Sequence, residues 1–312
     1  MSITVVGSVA YDAVKTPFGE RERMLGGAAT YFALAASFFD QVHVVGRVGD
    51  DFGDDDLSVL ATRGTDVADV ERVPGGKTFF WAGEYGWDLN SRETLDTQLN
   101  VFEDFRPTLS AASRDCDVLF LANIQPELQL NVLEQCRNPK FVALDSMNLW
   151  IDIARDALID VIRRVDCVVL NDAELRQLTE RPSIVGAARA VIEMGPSSVV
   201  AKLGEYGAAL ITAEEFFALP AFPLETVVDP TGAGDTFAGA FVGFIARQLE
   251  RSEREPVLRQ AMAYGTALAS YSVEEFGTER VERLTAGEVD SRVEDLRRIT
   301  QFEHVAVPLE IS

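Results

Sequence analysis

Residues 229–243 read Asp-Pro-Thr-Gly-Ala-Gly-Asp-Thr-Phe-Ala-Gly-Ala-Phe-Val-Gly. The β-branched run Thr226-Val227-Val228 leads in, and Phe237, Ala238, Ala240, Phe241, Phe244 and Ile245 follow at helical spacing. The pattern predicts an extended segment, a glycine-bent turn and a helix N-terminus. Free amides of Gly232, Ala233 and Gly234 meet the positive end of the helix dipole there, which makes an anion site. Asp235 stands inside it. A carboxylate repels an anion, so it is no phosphate ligand. It suits a base that takes a proton from a hydroxyl while the amides hold a phosphoryl group.

Outward from this turn, short apolar strands alternate with helical segments. Strands are predicted at Ile3–Gly7, Val42–Gly46, Val118–Leu121, Phe141–Asp145, Cys167–Leu170 and Ser198–Leu203, with helices at Glu127–Cys136, Ile151–Arg163 and Ile184–Met194. Such βαβ runs predict an α/β domain with a parallel sheet buried on both faces. Helices close the chain, from Gly234 to about Tyr271 and again over Ala286–Arg298. One domain over residues 1–312 is expected.

Two stretches break the rhythm. Residues 10–25 are polar and turn-rich. In residues 76–102, Phe79, Trp81 and Tyr85 alternate with Phe80, Ala82 and Glu84, then a turn at Trp87–Ser91 leads to a second extended segment. Together they predict a small accessory β-sheet.

Composition excludes several classes. A net charge of −22 argues against nucleic acid and anionic membranes as partners. No apolar run approaches the ~18 residues of a membrane span, and the N-terminus reads as a strand, not a signal peptide. Cys116, Cys136 and Cys167 show no metal-ligand spacing and fit reduced thiols in a cytoplasmic protein. With only His43 and His304, a serine–histidine hydrolase is hard to assemble. The acidic run Asp50–Asp56 lacks the spacing of a calcium loop and reads as a solvated turn and helix start.

The turn at residues 229–237 closely resembles the C-terminal signature of the PfkB (ribokinase-like) family of carbohydrate and nucleoside kinases, Asp-Thr-x-Gly-Ala-Gly-Asp-Thr-Phe. The match takes in Asp229, Thr231, Gly232, Ala233, Gly234, Asp235, Thr236 and Phe237, allowing one shift of the variable residue. The resemblance continues through Gly7-Ser8, Asp12, Gly26-Gly27, Asn171-Asp172-Ala173-Glu174, Lys202 to Gly207, and Val273 to Gly277. It implies a three-layer α/β/α ribokinase-like fold with a mostly parallel central sheet and a small β-sheet lid, from segments of about 10–25 and 72–102. It also implies transfer of the ATP γ-phosphoryl group to a hydroxymethyl group.

In roles, the resemblance makes Asp235 the base and Gly232, Ala233 and Gly234 the anion hole. It assigns Asp12, Gly26, Gly27, Tyr31, Asn90, Arg92 and Asn123 to the substrate. Asn171, Lys202, Gly204 and Gly207 fall to ATP, Glu174 to water-bound Mg²⁺, and Asp229, Thr231, Val273 and Gly277 to K⁺. In many members the lid also mediates dimerisation, so a homodimer through the lid is expected. Tyr31 stands where sugar kinases often carry Asn. This departure and the lid aromatics favour a nucleoside acceptor; the alternative is a free sugar. A dinucleotide-binding fold is the rival, but the first strand is followed by Gly-Ser-Val-Ala-Tyr, not Gly-x-Gly-x-x-Gly. A catalytically silent sensor of the same fold would not need Asp235.

Overall fold

A computed structural model of the chain describes residues 1–250 and 254–303. Nine strands form the central sheet. In chain order they are β1 (Ser2–Val6), β4 (Gln41–Gly49), β5 (Asp66–Val73), β8 (Val118–Leu121), β9 (Phe141–Asp145), β10 (Cys167–Asn171), β11 (Ser198–Lys202), β12 (Ala208–Thr212) and β13 (Phe216–Leu219). Their spatial order is β13-β12-β11-β10-β9-β8-β1-β4-β5. The pairs from β11 to β5 are parallel, and β12 and β13 add an antiparallel edge. The parallel strands are nearly continuous apolar runs because both faces are covered. On one face Phe120 of β8 packs in the core formed with Phe32 and Phe241 of the helices Ala28–Ala36 and Ala233–Gln248, beside the helix Arg254–Ser272. The other carries Leu119, Leu144 and Leu170 under Pro126–Gln135, Arg155–Ile162, Asp172–Thr179 and Ile184–Ile192.

The accessory sheet is four-stranded, in the order β3 (Gly19–Gly26), β2 (Ala10–Thr16), β6 (Phe79–Tyr85), β7 (Arg92–Gln98). Arg72 and Val73, expected in the lid, end β5 of the central sheet instead, so its second segment begins at Phe79. Phe79 stacks on Phe102 at 5.7 Å between ring centres, and Phe80 packs against the main core. The cleft face of the lid therefore keeps Trp81 and Tyr85. The acidic run has a structural task. Asp51 accepts the amide and hydroxyl of Thr78 at 2.7 and 2.8 Å and so anchors the lid's root. Asp54, Asp55 and Asp56 fill the first turn of the helix Asp54–Leu60, where the dipole favours them. His43 is buried and pairs Asp66 across β4 and β5 at 3.2 Å.

After β1 the chain builds β4 on one side and β8 on the other. That strand reversal opens a crevice at the carboxyl ends of the strands, where ligands of open α/β sheets bind. The glycine turn of residues 229–235 projects into this end. Among the described residues no helix is long and apolar enough to cross a membrane.

Candidate active site

The helix Ala233–Gln248 begins at Gly232, whose φ of +73° is left-handed. A side chain is excluded there twice over. The backbone sits in the glycine region, and a Cβ would stand 2.4 Å from the Tyr31 ring. Of the first-turn amides that follow, Ala233 N donates to the Pro230 carbonyl at 3.3 Å, while those of Gly234 and Asp235 have no helical acceptor. Asp235 lies in the same turn, half-buried. Its carboxyl is pushed up to about 7, first by burial and then by the charge of Asp145, against the pull of Lys202.

Asp12, on β2, is 5% exposed and is likewise pushed up to about 7, by burial and by Asp229 and Asp235. It accepts the amide of Gly27, and a Cβ on Gly26 would fall 2.1 Å from Asp12 Oδ2. The glycine pair lets the carboxylate lie against the start of the next helix. Tyr31 is 2% exposed, with its ring beneath Gly232 and its hydroxyl unpartnered. Burial, then Asp12 and Asp229, raise its pKa well above the ordinary value.

On the opposite wall, Asn171 and Glu174 form a reciprocal capping box, each accepting the other's amide at 2.8 Å. Glu174 is pushed up to about 7 by burial despite Lys202. Lys202 ends β11 and donates to Asp145 Oδ2 at 2.8 Å. Burial opposes its charge, but Asp145 and Glu174 more than offset this, so its pKa is raised. Leu203 donates to the Gly207 carbonyl at 2.8 Å, closing the turn that contains Gly204.

Asp229 is fully buried; its oxygens accept Thr231 N at 2.9 Å and Gly277 N at 3.0 Å, while Val273 O accepts Val228 N at 2.7 Å. Asp229, Thr231, Val273 and Gly277 are thus one knot behind the anion hole. Tyr85 reaches it from the lid, accepting the Thr231 hydroxyl at 3.2 Å. Arg92 on β7 lies over Trp81, 5.1 Å from the ring centre, and its charge draws down Asp12, Asp235 and Glu174.

Two residues assigned to the substrate have side-chain partners within the protein. Asn90 at the lid tip donates to Glu205 at 3.1 Å, bridging the lid to the Gly204 turn. The Asn123 amide is held by Trp150 Nε1 at 2.9 Å and Met147 Sδ at 3.2 Å. Asp145 escaped the sequence reading, although a lone carboxylate closing the apolar strand Phe-Val-Ala-Leu-Asp was a usable signal.

The carboxyls make opposite predictions for turnover and stability. A base must be unprotonated to act, so turnover that used the Asp235 carboxylate would rise with pH through about 7. A carboxyl raised on folding contributes stability that is present below its unfolded pKa and lost as pH rises through the folded one. The Tm of the ligand-free protein is therefore expected to fall between about pH 4 and about pH 8 relative to that of an Asp12→Asn variant. Parallel Tm curves for the two proteins would refute the raised carboxyl.

The family model of pfkB carbohydrate kinases matches residues 2–283. A cytidine kinase of Thermococcus kodakarensis is 31% identical over 253 residues, 79% of this chain and 89% of that protein. A deoxyribokinase of Salmonella typhi is 26% identical, covering 80% and 85%. The crystal structure of Methanocaldococcus jannaschii nucleoside kinase superposes with a TM-score of 0.76 at 18% identity, covering 94% of this chain and 98% of that one. The chain belongs to the pfkB family of carbohydrate kinases. It is an ATP-using phosphotransferase with an alcohol group as acceptor, on a ribokinase-like fold.

Proposed function

We propose that this kinase phosphorylates the hydroxymethyl group of a nucleoside, with Asp235 as the base. One observation carries the acceptor assignment: Asp12 and Trp81 are register partners on neighbouring lid strands. A carboxylate beside an indole suits a molecule that presents ribose hydroxyls and a flat base together. Stacking on an aromatic ring contributes roughly 1–3 kcal/mol per base. The cytidine kinase relative supports the same reading, and the deoxyribokinase relative favours the alternative, a free sugar.

In the reaction, Asp235 takes the proton as the acceptor oxygen bonds to the γ-phosphorus and the bond to ADP breaks. The amides of Gly232, Ala233 and Gly234 receive the phosphoryl oxygens. Asp12 and the Tyr31 hydroxyl, unpartnered within the protein, orient the acceptor, and Arg92 closes over it. Lys202 meets the phosphates, and Asn171, Gly204 and Gly207 shape the nucleotide side. Mg²⁺ fits beside Glu174, a buried carboxylate that would hold it through water, and supplies charge neutralisation on the phosphates. K⁺ would be held at the knot of Asp229, Thr231, Val273 and Gly277, where a buried carboxylate lies beside the Val273 carbonyl. The wholly exposed strand β7 with Leu95 outward, and exposed Leu99 just after it, suit a lid-mediated homodimer, and the reduced thiols suit the cytoplasm.

The test is kcat/KM for cytidine, adenosine, inosine, ribose and fructose. The best nucleoside is expected to exceed every free sugar; a free sugar ahead by tenfold or more would make this a sugar kinase. At constant ionic strength, K⁺ is expected to raise turnover well above Na⁺. Equal rates in the two ions would remove the cation site from the scheme.

A further inference from the structure

Three carboxylates share one ammonium at the mouth of the anion hole. Lys202 Nζ bonds to Asp145 at 2.8 Å, while Glu174 and Asp235 also feel its charge. The register explains the reach. Asp145 on β9 lies level with Val169 on β10 and Val200 on β11, so Lys202 stands two residues further along the same face. Its side chain leans back across β10 to the carboxylate. A Cβ on Gly234 would be 3.2 Å from Lys202 Nζ, so the ammonium rests against the turn that holds the phosphoryl group. Asp145 itself is 4% exposed, and its second oxygen accepts Ser146 N at 2.7 Å.

We propose that Asp145 is a positioning residue that captures Lys202 beside the anion hole and keeps its ammonium from closing an ion pair onto Asp235. The proposal rests on the reading of Asp235 as the base. An ammonium bonded to Asp235 would occupy the oxygen that must receive the acceptor's proton. Held by Asp145, the same ammonium has two N–H groups left and can donate to a phosphoryl oxygen without leaving its partner. Asp145 therefore touches neither acceptor nor nucleotide and acts through Lys202.

Asp145→Asn keeps the shape and the Ser146 hydrogen bond and removes the charge. Its kcat is expected to fall roughly 10–100-fold, with the KM of the acceptor little changed. The acid limb of its pH–kcat profile is expected to move to lower pH, because a like charge leaves Asp235 and the ammonium approaches it. Lys202→Met is expected to move that limb to higher pH. The other groups facing Asp235, namely Asp12, Tyr31 and the lid's Arg92, are the same in both variants. The double variant Asp145→Asn/Lys202→Met removes the ion pair as a unit and is expected to turn over no more slowly than Lys202→Met alone. An Asp145→Asn enzyme with wild-type kcat and acid limb overturns the proposal. So does a double variant slowed by the product of the two single effects, or a loss of Tm alone. Full activity in Asp235→Asn would instead strike the base assignment, so the two failures are distinguishable.

Discussion

Asp235→Asn is expected to lower kcat by ~10²–10⁴-fold, the usual contribution of a positioned general base, with nucleotide affinity preserved or slightly improved. The asparagine amide has the shape of the carboxyl but cannot take a proton from the acceptor hydroxyl. Beside an anion hole it is also a better neighbour for phosphate than a carboxylate, because the repulsion is gone. The loss should therefore appear in kcat, with ATP binding by calorimetry unchanged or tighter. It should be insensitive to pH near 7, where the wild-type carboxyl titrates. A folded variant with wild-type turnover would remove Asp235 from its role. A variant that has lost nucleotide binding would instead make the residue part of the turn's architecture.

The large features were legible because they are periodic or local. Apolar strands at Ile3–Gly7, Val118–Leu121 and Phe141–Asp145 carry their burial in their composition, and alternation marked the lid. β5 was missed because Asp-Val-Ala-Asp-Val-Glu-Arg-Val on the sheet edge is half charged. β12 and β13 were missed too, on the antiparallel edge beyond Gly207. Alternation put Phe79 on one face with Trp81 and Tyr85, but Phe102 arrives from the lid's exit and stacks on it. In the site, residues within one motif could be named in advance. The strand end marks Asp145, but its role is made by Lys202, 57 residues later and two strands away. Asn171 and Glu174 show the converse: the bland reading, a capped helix, holds at residues that the motif resemblance gave to the nucleotide.

Gly232→Ala is expected to cost on the order of 10²-fold in kcat, the loss that follows when an oxyanion-hole donor is displaced. Two independent constraints meet at this position. The φ of +73° is a conformation that an L-residue adopts at a cost of about 1–2 kcal/mol. The added methyl would also stand 2.4 Å from the Tyr31 ring, a distance no real contact tolerates, so either the ring or the turn must move. The Tyr31 ring is 2% exposed and has little room to move, leaving the turn to give way and carry the amides of Ala233 and Gly234 off the phosphoryl position. The control is Gly75→Ala, at a φ of +72° with open space where its Cβ would go. It shares the backbone strain and lacks the clash, so its Tm should fall modestly while kcat stays at the wild-type level. If Gly232→Ala behaves like Gly75→Ala, with a lowered Tm and intact turnover, the anion hole does not depend on this turn. If both variants lose turnover alike, left-handed strain rather than the Tyr31 contact governs the effect.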